Sequence, residues 1–314
     1  MQILFCGDCF PAARMLLRER LTVGDELMVC DGTKLREALA RVDVVIPMMT
    51  ILNAELMEAG GFRLVQQWGS GLEGVDLDAA RRRGVWVANV PASGSNADSV
   101  AEHVLLLTFA LLRRLPEAQA NVRNGILGAP LGRMLAGRTV CLYGLGATAR
   151  ALARRLHVFG VRLIGITREQ LAEKKDEFHL DECFSACERT KALAQSDIVV
   201  LCVRLGPQTK GLIDATALAA MPKGTFLVNA ARGGLVDYRA LENALASGHL
   251  GGVGLDVFWT EPIAPDDPLL RFPNVIATPH LAGVTDRSYA EIADAVARNI
   301  ERLRSGEPPL SRAA

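Results

Sequence analysis

Short apolar runs recur along the chain and alternate with segments whose apolar residues fall at helical spacing. In the first third, the pattern predicts buried strands at residues 2–6, 42–46, 63–67 and 85–88. It predicts helices between them at about 12–20, 35–41 and 54–58. Strands that alternate with helices are typical of a parallel sheet, so this part of the chain is predicted to be an α/β domain.

A second array of the same kind follows further along the chain. A loop of small polar residues at 92–96, expected to be a hinge, precedes an apolar helix at about 97–113 and a polar connector at 121–137. The later strands are predicted at 139–143, 161–166, 197–202, 225–229, 252–256 and 274–278, and a final helix at 285–304. The pattern therefore predicts two doubly wound parallel-sheet domains.

Composition narrows the functional classes. The 314 residues are enough for about two domains, and half of them are hydrophobic. Acidic and basic residues balance at 35 each, which gives no electrostatic footprint for nucleic acid or an anionic membrane. No apolar run approaches the roughly 20 residues of a membrane span. We expect a cytoplasmic protein, because the first residues are typical of a strand and lack the features of a signal peptide.

The cysteines predict neither a disulfide framework nor a metal site. Their number is odd, at seven, in a chain of this length. Cys6 and Cys9 form a C-x-x-C pair, but no second pair or histidine ligand accompanies it. We therefore expect no bound metal.

Residues 138–156 carry the clearest chemical signal. A short apolar run ends at Tyr143 and is followed at once by Gly144-Leu145-Gly146 and a helical pattern. Strand, glycine turn and helix begin a dinucleotide-binding unit, in which the first glycine permits the turn and Gly146 lets the backbone approach a pyrophosphate. The free N–H groups at the start of the helix favour that anion. Ala149 takes the place of the third glycine.

Four further stretches follow predicted strands, at residues 69–76, 229–233, 256–262 and 278–283. In open α/β sheets, ligands bind at the carboxyl ends of strands. Together these stretches offer Arg232, Glu261 and His280. Reduction of a 2-keto acid requires a cation for the carboxylate, a general acid for the carbonyl oxygen and a carboxylate that orients the acid. Each residue alone has an ordinary structural interpretation, but all three after a nucleotide motif favour hydride transfer.

The other histidines, His103, His157, His179 and His249, are interpreted as structural. Ser70 and Gly71 offer backbone N–H groups to a substrate carboxylate without an obstructing side chain.

The chain resembles the D-isomer-specific 2-hydroxyacid dehydrogenase family over nearly its whole length. That family includes phosphoglycerate dehydrogenases and glyoxylate/hydroxypyruvate reductases. The matching stretches are Gly144-Leu145-Gly146, Asn229-Ala230-Ala231-Arg232-Gly233, Gly254-Leu255-Asp256-Val257-Phe258 through Glu261-Pro262, Thr278-Pro279-His280, and Ser99-Val100-Ala101-Glu102-His103.

The resemblance implies a Rossmann dinucleotide-binding domain, residues 96–284, inserted into a flavodoxin-like substrate-binding domain made of residues 1–95 and 285–314. It implies that Arg232 binds the substrate carboxylate and carbonyl, that Glu261 pairs with His280, and that His280 donates the proton. It also implies a homodimer formed through the cofactor domain. The substrate-binding residues are expected to be Ser70, Gly71, Arg232 and His280.

The expected cofactor-binding residues lie at the same ends of the strands, and Asp256 is expected to contact the nicotinamide carboxamide. The full set is Gly144, Leu145, Gly146, Ala147, Thr148, Thr167, Arg168, Cys202, Val203, Arg204, Thr209, Ala230, Ala231, Arg232, Asp256, His280 and Gly283.

The end of the second strand of the dinucleotide unit predicts a preference for NADP over NAD. NAD-selective proteins carry an acidic residue there, which accepts a hydrogen bond from the ribose 2′-hydroxyl. This chain has Thr167 and Arg168, and Arg204 follows a neighbouring strand. A guanidinium pairs with a phosphate through two N–H groups. Glu169 could restore a preference for NAD by turning inward.

Two other functions remain open. Non-enzymatic, NAD(H)-sensing corepressors resemble this family and can keep the same catalytic residues. Phosphite dehydrogenases also resemble it and retain Arg, Glu and His, whereas formate dehydrogenases pair the histidine with Gln, which Glu261 argues against. Apolar residues at 48–52 and Trp68 favour an uncharged substrate tail, unless they pack the first domain's core.

Overall fold

The computed structural model describes residues 1–30 and 32–314, and the side chain of Thr33 is left out of the description. Within these residues the chain folds into two compact units. The first unit comprises Met1–Asn96 and Thr285–Ala314, and the second comprises Ala97–Val284. None of the helices in these residues is long and apolar enough to cross a membrane.

The strands are β1 (Gln2–Cys6), β2 (Glu26–Cys30), β3 (Val44–Ile46), β4 (Leu64–Gln66), β5 (Trp86–Ala88), β6 (Thr139–Tyr143), β7 (Arg162–Thr167), β8 (Glu182–Ser185), β9 (Ile198–Leu201), β10 (Phe226–Asn229), β11 (Gly252–Leu255) and β12 (Val275–Ala277). The α-helices are α1 (Pro11–Arg18), α2 (Leu35–Leu39), α3 (Ala54–Ala59), α4 (Leu77–Arg83), α5 (Gly94–Leu112), α6 (Leu115–Arg123), α7 (Ala147–Leu156), α8 (Leu171–Glu177), α9 (Arg189–Leu193), α10 (Ala215–Ala220), α11 (Tyr238–Ala246) and α12 (Asp286–Arg304). Short 3-10 helices lie at Gly32–Lys34, His157–Phe159, Ala186–Glu188, Gly233–Leu235 and Pro268–Arg271.

The first unit is built on a parallel sheet of order β2-β1-β3-β4-β5, which is the flavodoxin-like order. Its inner strands are buried and largely apolar, with a glutamine at the start of β1 and at the end of β4, as is typical of covered parallel sheets. Helix α12 is hydrogen-bonded to the sheet through buried Asn299, whose amide donates to Gln66 Oε1 on β4 at 2.7 Å. The same amide donates to the Leu310 carbonyl at 3.2 Å. Tyr289 packs edge-on against Trp68, with ring centroids 5.7 Å apart.

The second unit is built on a parallel sheet of order β12-β11-β10-β9-β6-β7-β8. The chain runs outward from β6 through β7 to β8 and then returns to β9 on the other side of β6. This reversal is the switch point at which doubly wound sheets bind ligands. The loops after β6 and β9 therefore flank the crevice at the carboxyl ends of the strands. The predicted fold class is confirmed: one α/β unit with a Rossmann-type sheet lies within the sequence of a flavodoxin-like one.

Two strands were not predicted, and both lie at sheet edges. Strand β2 and strand β8 are only partly buried and carry charged residues at their first positions. An edge strand has a neighbour on one side only and buries fewer side chains than an inner parallel strand. The pattern therefore found the inner strands and the edge strands β5 and β12, and missed the edge strands β2 and β8.

Two predicted connections also differ from the structure. The loop predicted at 92–96 is shorter, because Gly94 begins helix α5. The first turn of that helix is held by Glu291, which accepts hydrogen bonds from the Ser95 backbone N–H at 3.2 Å and hydroxyl at 2.5 Å. The connector at 121–137 was wrongly predicted to be polar: it contains the end of α6 and several exposed apolar side chains.

Candidate active site

The turn between β6 and α7 requires glycine at position 144. Gly144 has a φ of 98°, which L-residues rarely adopt. A Cβ atom there would lie 2.5 Å from Val203 Cγ1 and 2.8 Å from the Cys202 carbonyl oxygen. The absence of a side chain therefore lets the loop after β9 pack directly on the glycine turn, which brings Cys202 and Val203 to the switch point.

The start of α7 fits an anionic group. Gly146 is the N-cap residue in an extended conformation, and no side-chain cap is found for this helix among the described residues. A Cβ atom on Gly146 would have no described heavy atom within 4 Å. The first backbone N–H groups of α7, from Ala147 and Thr148 onward, are thus available to an anion such as a pyrophosphate, with the positive end of the helix dipole behind them. Ala149 is fully buried, so its methyl group fits beneath the helix.

The end of β7 carries cationic and hydroxyl groups. Thr167 donates through its hydroxyl to the Glu169 carbonyl at 3.2 Å, and Arg168 Nη1 donates to Gln208 Oε1 at 3.3 Å. The second contact connects Arg168 to the loop that contains Arg204. Thr209 organises that loop, since its hydroxyl donates to the Arg204 carbonyl at 2.7 Å.

The loop after β10 presents Arg232. Buried Asn229 shapes this loop: its Oδ1 accepts from the Ala231 N–H at 3.0 Å, and its Nδ2 donates to the Arg232 carbonyl at 2.8 Å. A Cβ atom on Gly233 would lie 2.1 Å from the carbonyl carbon of Phe258. This close backbone approach brings the Arg232 loop against the segment that leads to Glu261. Arg232 itself is half-buried.

His280 and Glu261 form a hydrogen-bonded pair at the same edge of the sheet. His280 Nδ1 lies 2.5 Å from Glu261 Oε2, and Glu261 Oε1 accepts from the Phe258 N–H at 2.9 Å. The imidazole is 26% exposed and the carboxylate 13%, so the histidine keeps access to a small molecule while its partner is largely shielded. A carboxylate fixed at one ring nitrogen leaves the other ring nitrogen oriented for proton transfer.

The backbone of His280 is held in a rarely populated conformation. Its φ is 52°, in the left-handed region, which costs a non-glycine residue on the order of 1–3 kcal/mol. The His280 N–H donates to the Asp256 carbonyl at 2.9 Å and to the Thr278 carbonyl at 3.0 Å. The surrounding loop therefore fixes the histidine in this conformation.

Asp256 lies beneath this loop with no exposed surface. Its Oδ1 accepts from the Thr278 hydroxyl at 2.6 Å and the Leu281 N–H at 2.9 Å, and its Oδ2 accepts from the Ala282 N–H at 2.8 Å. Burial alone would raise the pKa of Asp256, but hydrogen bonds from His103, Thr278 and the two backbone N–H groups outweigh it and lower the pKa. Asp256 is thus an ionised, internally bonded carboxylate.

Sequence reasoning missed the role of His103 in this network. Its Nε2 lies 2.8 Å from Thr278 Oγ1 and 3.4 Å from Asp256 Oδ1. A weak signal was present: Ser99 and His103 are polar residues four apart on helix α5, which places them on one face.

The structure divides the predicted residues between the units. The cofactor-binding and catalytic candidates all lie in the second unit, at the carboxyl ends of its strands or in the loops that follow. Ser70 and Gly71 lie in the first unit after β4, and the Ser70 carbonyl accepts from Asn89 Nδ2 at 2.8 Å.

The thiols do not form a metal centre in the described part of the chain. No group of three or more potential ligands occurs there. None of the seven cysteines, all of them described, forms a disulfide. Burial raises the pKa of Cys6, and likewise of Cys202 beside the glycine turn, to about 12, so both thiols are neutral.

The chain is similar to proteins of known family. The model for "D-isomer specific 2-hydroxyacid dehydrogenase, NAD binding domain" matches residues 105–282. A D-3-phosphoglycerate dehydrogenase of Mycobacterium leprae is 36% identical over 88% of this chain and 52% of its own length. A glyoxylate reductase of Korarchaeum cryptofilum is 34% identical over 87% of this chain and 83% of its own length.

A similar solved structure is the TT0316 protein of Thermus thermophilus, which is 32% identical, covers 100% of both chains and has a TM-score of 0.85. The chain spans about half the length of the phosphoglycerate dehydrogenase that it matches. The family match and these identities confirm the resemblance inferred from the glycine, arginine and histidine motifs. The chain belongs to the D-isomer-specific 2-hydroxyacid dehydrogenase family.

Proposed function

We propose that this protein reduces a small 2-keto acid to the D-2-hydroxy acid, with His280 as the general acid. The observation that carries the proposal is the 2.5 Å pair between His280 and Glu261. It lies at the carboxyl edge of the same sheet as the glycine turn at Gly144 and the loop of Arg232. This combination supplies the three groups that the reaction needs beside a dinucleotide site.

Each candidate residue has a separate role in the proposed reaction. A reduced nicotinamide, when bound, supplies the hydride. Arg232 binds the substrate carboxylate and polarises the carbonyl through its planar N–H groups. His280 donates a proton to the carbonyl oxygen, and Glu261 holds the imidazole in orientation and stabilises its charged form. Backbone N–H groups of Ser70 and Gly71 are proposed as further donors to the substrate carboxylate.

We propose a substrate of the glyoxylate or hydroxypyruvate type, without a phosphate group. The apolar residues near the substrate loop fall into two groups: Leu52 and Trp68 are buried in the first unit, whereas Met49 and Ile51 are exposed. The exposed pair offers no cation to a phosphorylated tail. A glyoxylate reductase is among the similar proteins, which supports the same substrate class.

Turnover tests the proposal directly. Purified protein should oxidise NADPH or NADH when given glyoxylate, hydroxypyruvate or a longer 2-keto acid, and His280→Ala should reduce kcat by about 10²- to 10⁴-fold. The matched control is His249→Ala, whose imidazole bonds to the Leu218 carbonyl away from the strand ends. Phosphite is assayed separately with NAD⁺ or NADP⁺ as the hydride acceptor, because turnover of phosphite and of no keto acid would replace the proposed substrate class. No turnover with any of these compounds would refute the proposed reaction.

We further propose that NADPH is preferred over NADH. Thr167 and Arg168 stand at the end of β7, where a ribose 2′-phosphate would lie, and the loop of Arg204 is bonded to Arg168 through Gln208. A hydroxyl and two guanidinium groups favour a phosphate and leave a ribose hydroxyl without a carboxylate acceptor.

The ratio of kcat/KM for NADPH to that for NADH tests this preference. The ratio should exceed one in the wild type and fall at least tenfold in Arg168→Ala, because a charged hydrogen-bonded pair contributes about 1.5–3 kcal/mol. Arg239→Ala, an exposed arginine on α11, is the control. A wild type that prefers NADH, or an unchanged ratio in Arg168→Ala, contradicts the assignment.

We also propose a homodimer that forms through the second unit. Apolar side chains are exposed along residues 122–134, with Leu127 95% and Leu131 90% exposed. Leu131 also lines a cavity of about 380 Å³ beside Leu112 and Phe226. A concentrated apolar surface of this kind marks an interaction site, and a second copy supplies the same surface in return.

Sedimentation or light scattering tests the dimer. Leu127→Lys combined with Leu131→Lys should shift the mass to that of a monomer. Val158→Lys changes an equally exposed apolar residue outside the segment and should leave the mass unchanged. A double variant with the wild-type mass would exclude this surface.

We include a cytoplasmic location in the proposal. Its support is that none of the seven described cysteines forms a disulfide, because disulfides are rare in reducing compartments. Fractionation of cells that express the protein tests the location.

A further inference from the structure

We propose that His103 is a positioning residue for His280, acting through Thr278 and Asp256 to hold the loop 278–283 in its working conformation. The inference rests on the proposed role of His280 as general acid. It adds a residue from helix α5 to the machinery, at a position that contacts neither His280 nor Glu261 in any described hydrogen bond.

The contacts form a continuous chain within the second unit. His103 Nε2 lies 2.8 Å from Thr278 Oγ1, and the Thr278 hydroxyl lies 2.6 Å from Asp256 Oδ1. The Asp256 backbone carbonyl in turn accepts from the His280 N–H at 2.9 Å. One buried carboxylate residue therefore connects the helix to the backbone of the histidine.

The hydroxyl of Thr278 determines the direction of these bonds. The hydroxyl has a single hydrogen, and it donates that hydrogen to the ionised carboxylate of Asp256 in the short 2.6 Å contact. Thr278 Oγ1 must then accept from His103, so His103 carries a proton on Nε2. A side chain at position 103 has to be a donor at this point, and an apolar side chain cannot replace it.

Helix α5 holds the loop at a second point. Ser99 lies one turn before His103, and its hydroxyl donates to the Ala282 carbonyl at 2.7 Å. The N–H groups of Leu281 and Ala282 donate to Asp256 at 2.9 and 2.8 Å. The loop is thus fixed on both sides of His280, by Thr278 before it and by Ala282 after it.

This arrangement explains how the loop keeps His280 in its left-handed conformation. A φ of 52° for histidine persists only where neighbouring contacts impose it. Loss of the donor at position 103 would loosen Thr278 and leave Asp256 with fewer partners. Displacements of about 1 Å at a reacting group can lower a rate about 10²-fold.

Two substitutions at one position separate this role from general stability. His103→Leu removes the donor, and His103→Gln keeps an N–H donor at a similar reach. We expect His103→Leu to lower kcat about 10- to 100-fold with less than about a threefold change in the KM of the keto acid. His103→Gln should return kcat to within about threefold of the wild type. His249→Leu, which loses a different histidine hydrogen bond, controls for destabilisation.

Hydrogen exchange provides a readout that does not depend on activity. The amide protons of Leu281 and Ala282 should exchange at least tenfold faster in His103→Leu than in the wild type, and return toward wild-type rates in His103→Gln. The same amides should be unaffected in His249→Leu. If His103→Leu does not fold, Thr278→Val and Thr278→Ser form an equivalent pair, since only serine retains the hydroxyl.

Turnover and amide exchange test different claims, so each can fail without the other. A wild type without keto acid turnover refutes the proposed function, and the exchange rates then still test whether His103 holds the loop. Unchanged exchange of Leu281 and Ala282 in His103→Leu, or equal kcat in His103→Leu and His103→Gln, overturns the positioning role.

Discussion

Replacement of Glu261 by glutamine removes one charge from the candidate active site and little volume. Glu261 uses both oxygens: Oε2 pairs with His280 Nδ1 at 2.5 Å, and Oε1 accepts from the Phe258 N–H at 2.9 Å. The glutamine amide has one oxygen to replace these two acceptors. If that oxygen keeps the bond to Phe258, an NH₂ group faces the imidazole and favours the form in which Nδ1 is an acceptor.

The size of the effect follows from the change in the type of hydrogen bond. A bond between charged partners contributes about 1.5–3 kcal/mol, against about 1 kcal/mol for a neutral one. The imidazolium form of His280 therefore loses about 0.5–2 kcal/mol of stabilisation. At 1.36 kcal/mol per tenfold change, kcat should fall about 2- to 30-fold in Glu261→Gln.

Steady-state oxidation of NADPH at saturating keto acid measures this effect. The KM for the keto acid should change less than kcat, because Arg232 is not altered. Glu173→Gln, an exposed carboxylate on α8, makes the same chemical change away from the site and should leave kcat unaffected. A kcat for Glu261→Gln within twofold of the wild type, in a variant that melts at the wild-type temperature, would refute the role of the pair.

Further substitutions test the surrounding framework. Arg232→Lys should raise the KM of the keto acid about 10- to 100-fold in steady-state assays, because an ammonium cannot supply two parallel N–H donors; an unchanged KM would exclude carboxylate binding by Arg232. Gly233→Ala should lower the free energy of unfolding by about 1–3 kcal/mol in urea, because its Cβ would lie 2.1 Å from the Phe258 backbone; wild-type stability would contradict that close approach. Burial alone would raise the pKa of Asp25, but hydrogen bonds from the Met1 amino group, Arg304 and Thr22 outweigh it and hold the pKa well below its usual value. The charged form of Asp25 thus stabilises the fold above about pH 4, and this contribution declines as the pH falls further. Melting curves should show Asp25→Asn less stable than the wild type at pH 7, with a difference that shrinks below pH 4, whereas a constant difference would contradict this linkage.

Sequence patterns predicted the inner parts of both sheets for a physical reason. Strands such as β6 and β9 are buried on both faces, so all of their residues after Thr139 belong to apolar runs that are easy to see. The edge strands β2 and β8 bury fewer side chains, and each begins with a glutamate. The strand order did not follow from periodicity, because pairing depends on contacts between residues far apart in sequence.

The site residues that directly follow strands could be predicted from the sequence, whereas those that depend on long-range contacts could not. Gly144, Arg232 and His280 each follow a strand directly, and parallel strands bring their carboxyl ends to one edge of a sheet. His103 was interpreted as structural because it lies in an apolar helix, and its partner, Thr278, lies 175 residues away. No local pattern could show that contact. The exposure of the apolar residues at 122–134 was not predicted either. Apolar and polar residues alternate irregularly in this segment, so the pattern does not show whether the apolar side chains face solvent or a core.

Reduction with a deuterated cofactor tests the central claim most directly. The protein would be incubated with hydroxypyruvate and NADPH carrying deuterium at the transferable position, and the glycerate analysed by mass spectrometry and chiral chromatography. We expect D-glycerate with deuterium at C2 from the wild type and on the order of 10²- to 10⁴-fold less product per unit time from His280→Ala. L-glycerate, product without deuterium at C2, or equal rates for the two proteins would contradict the account.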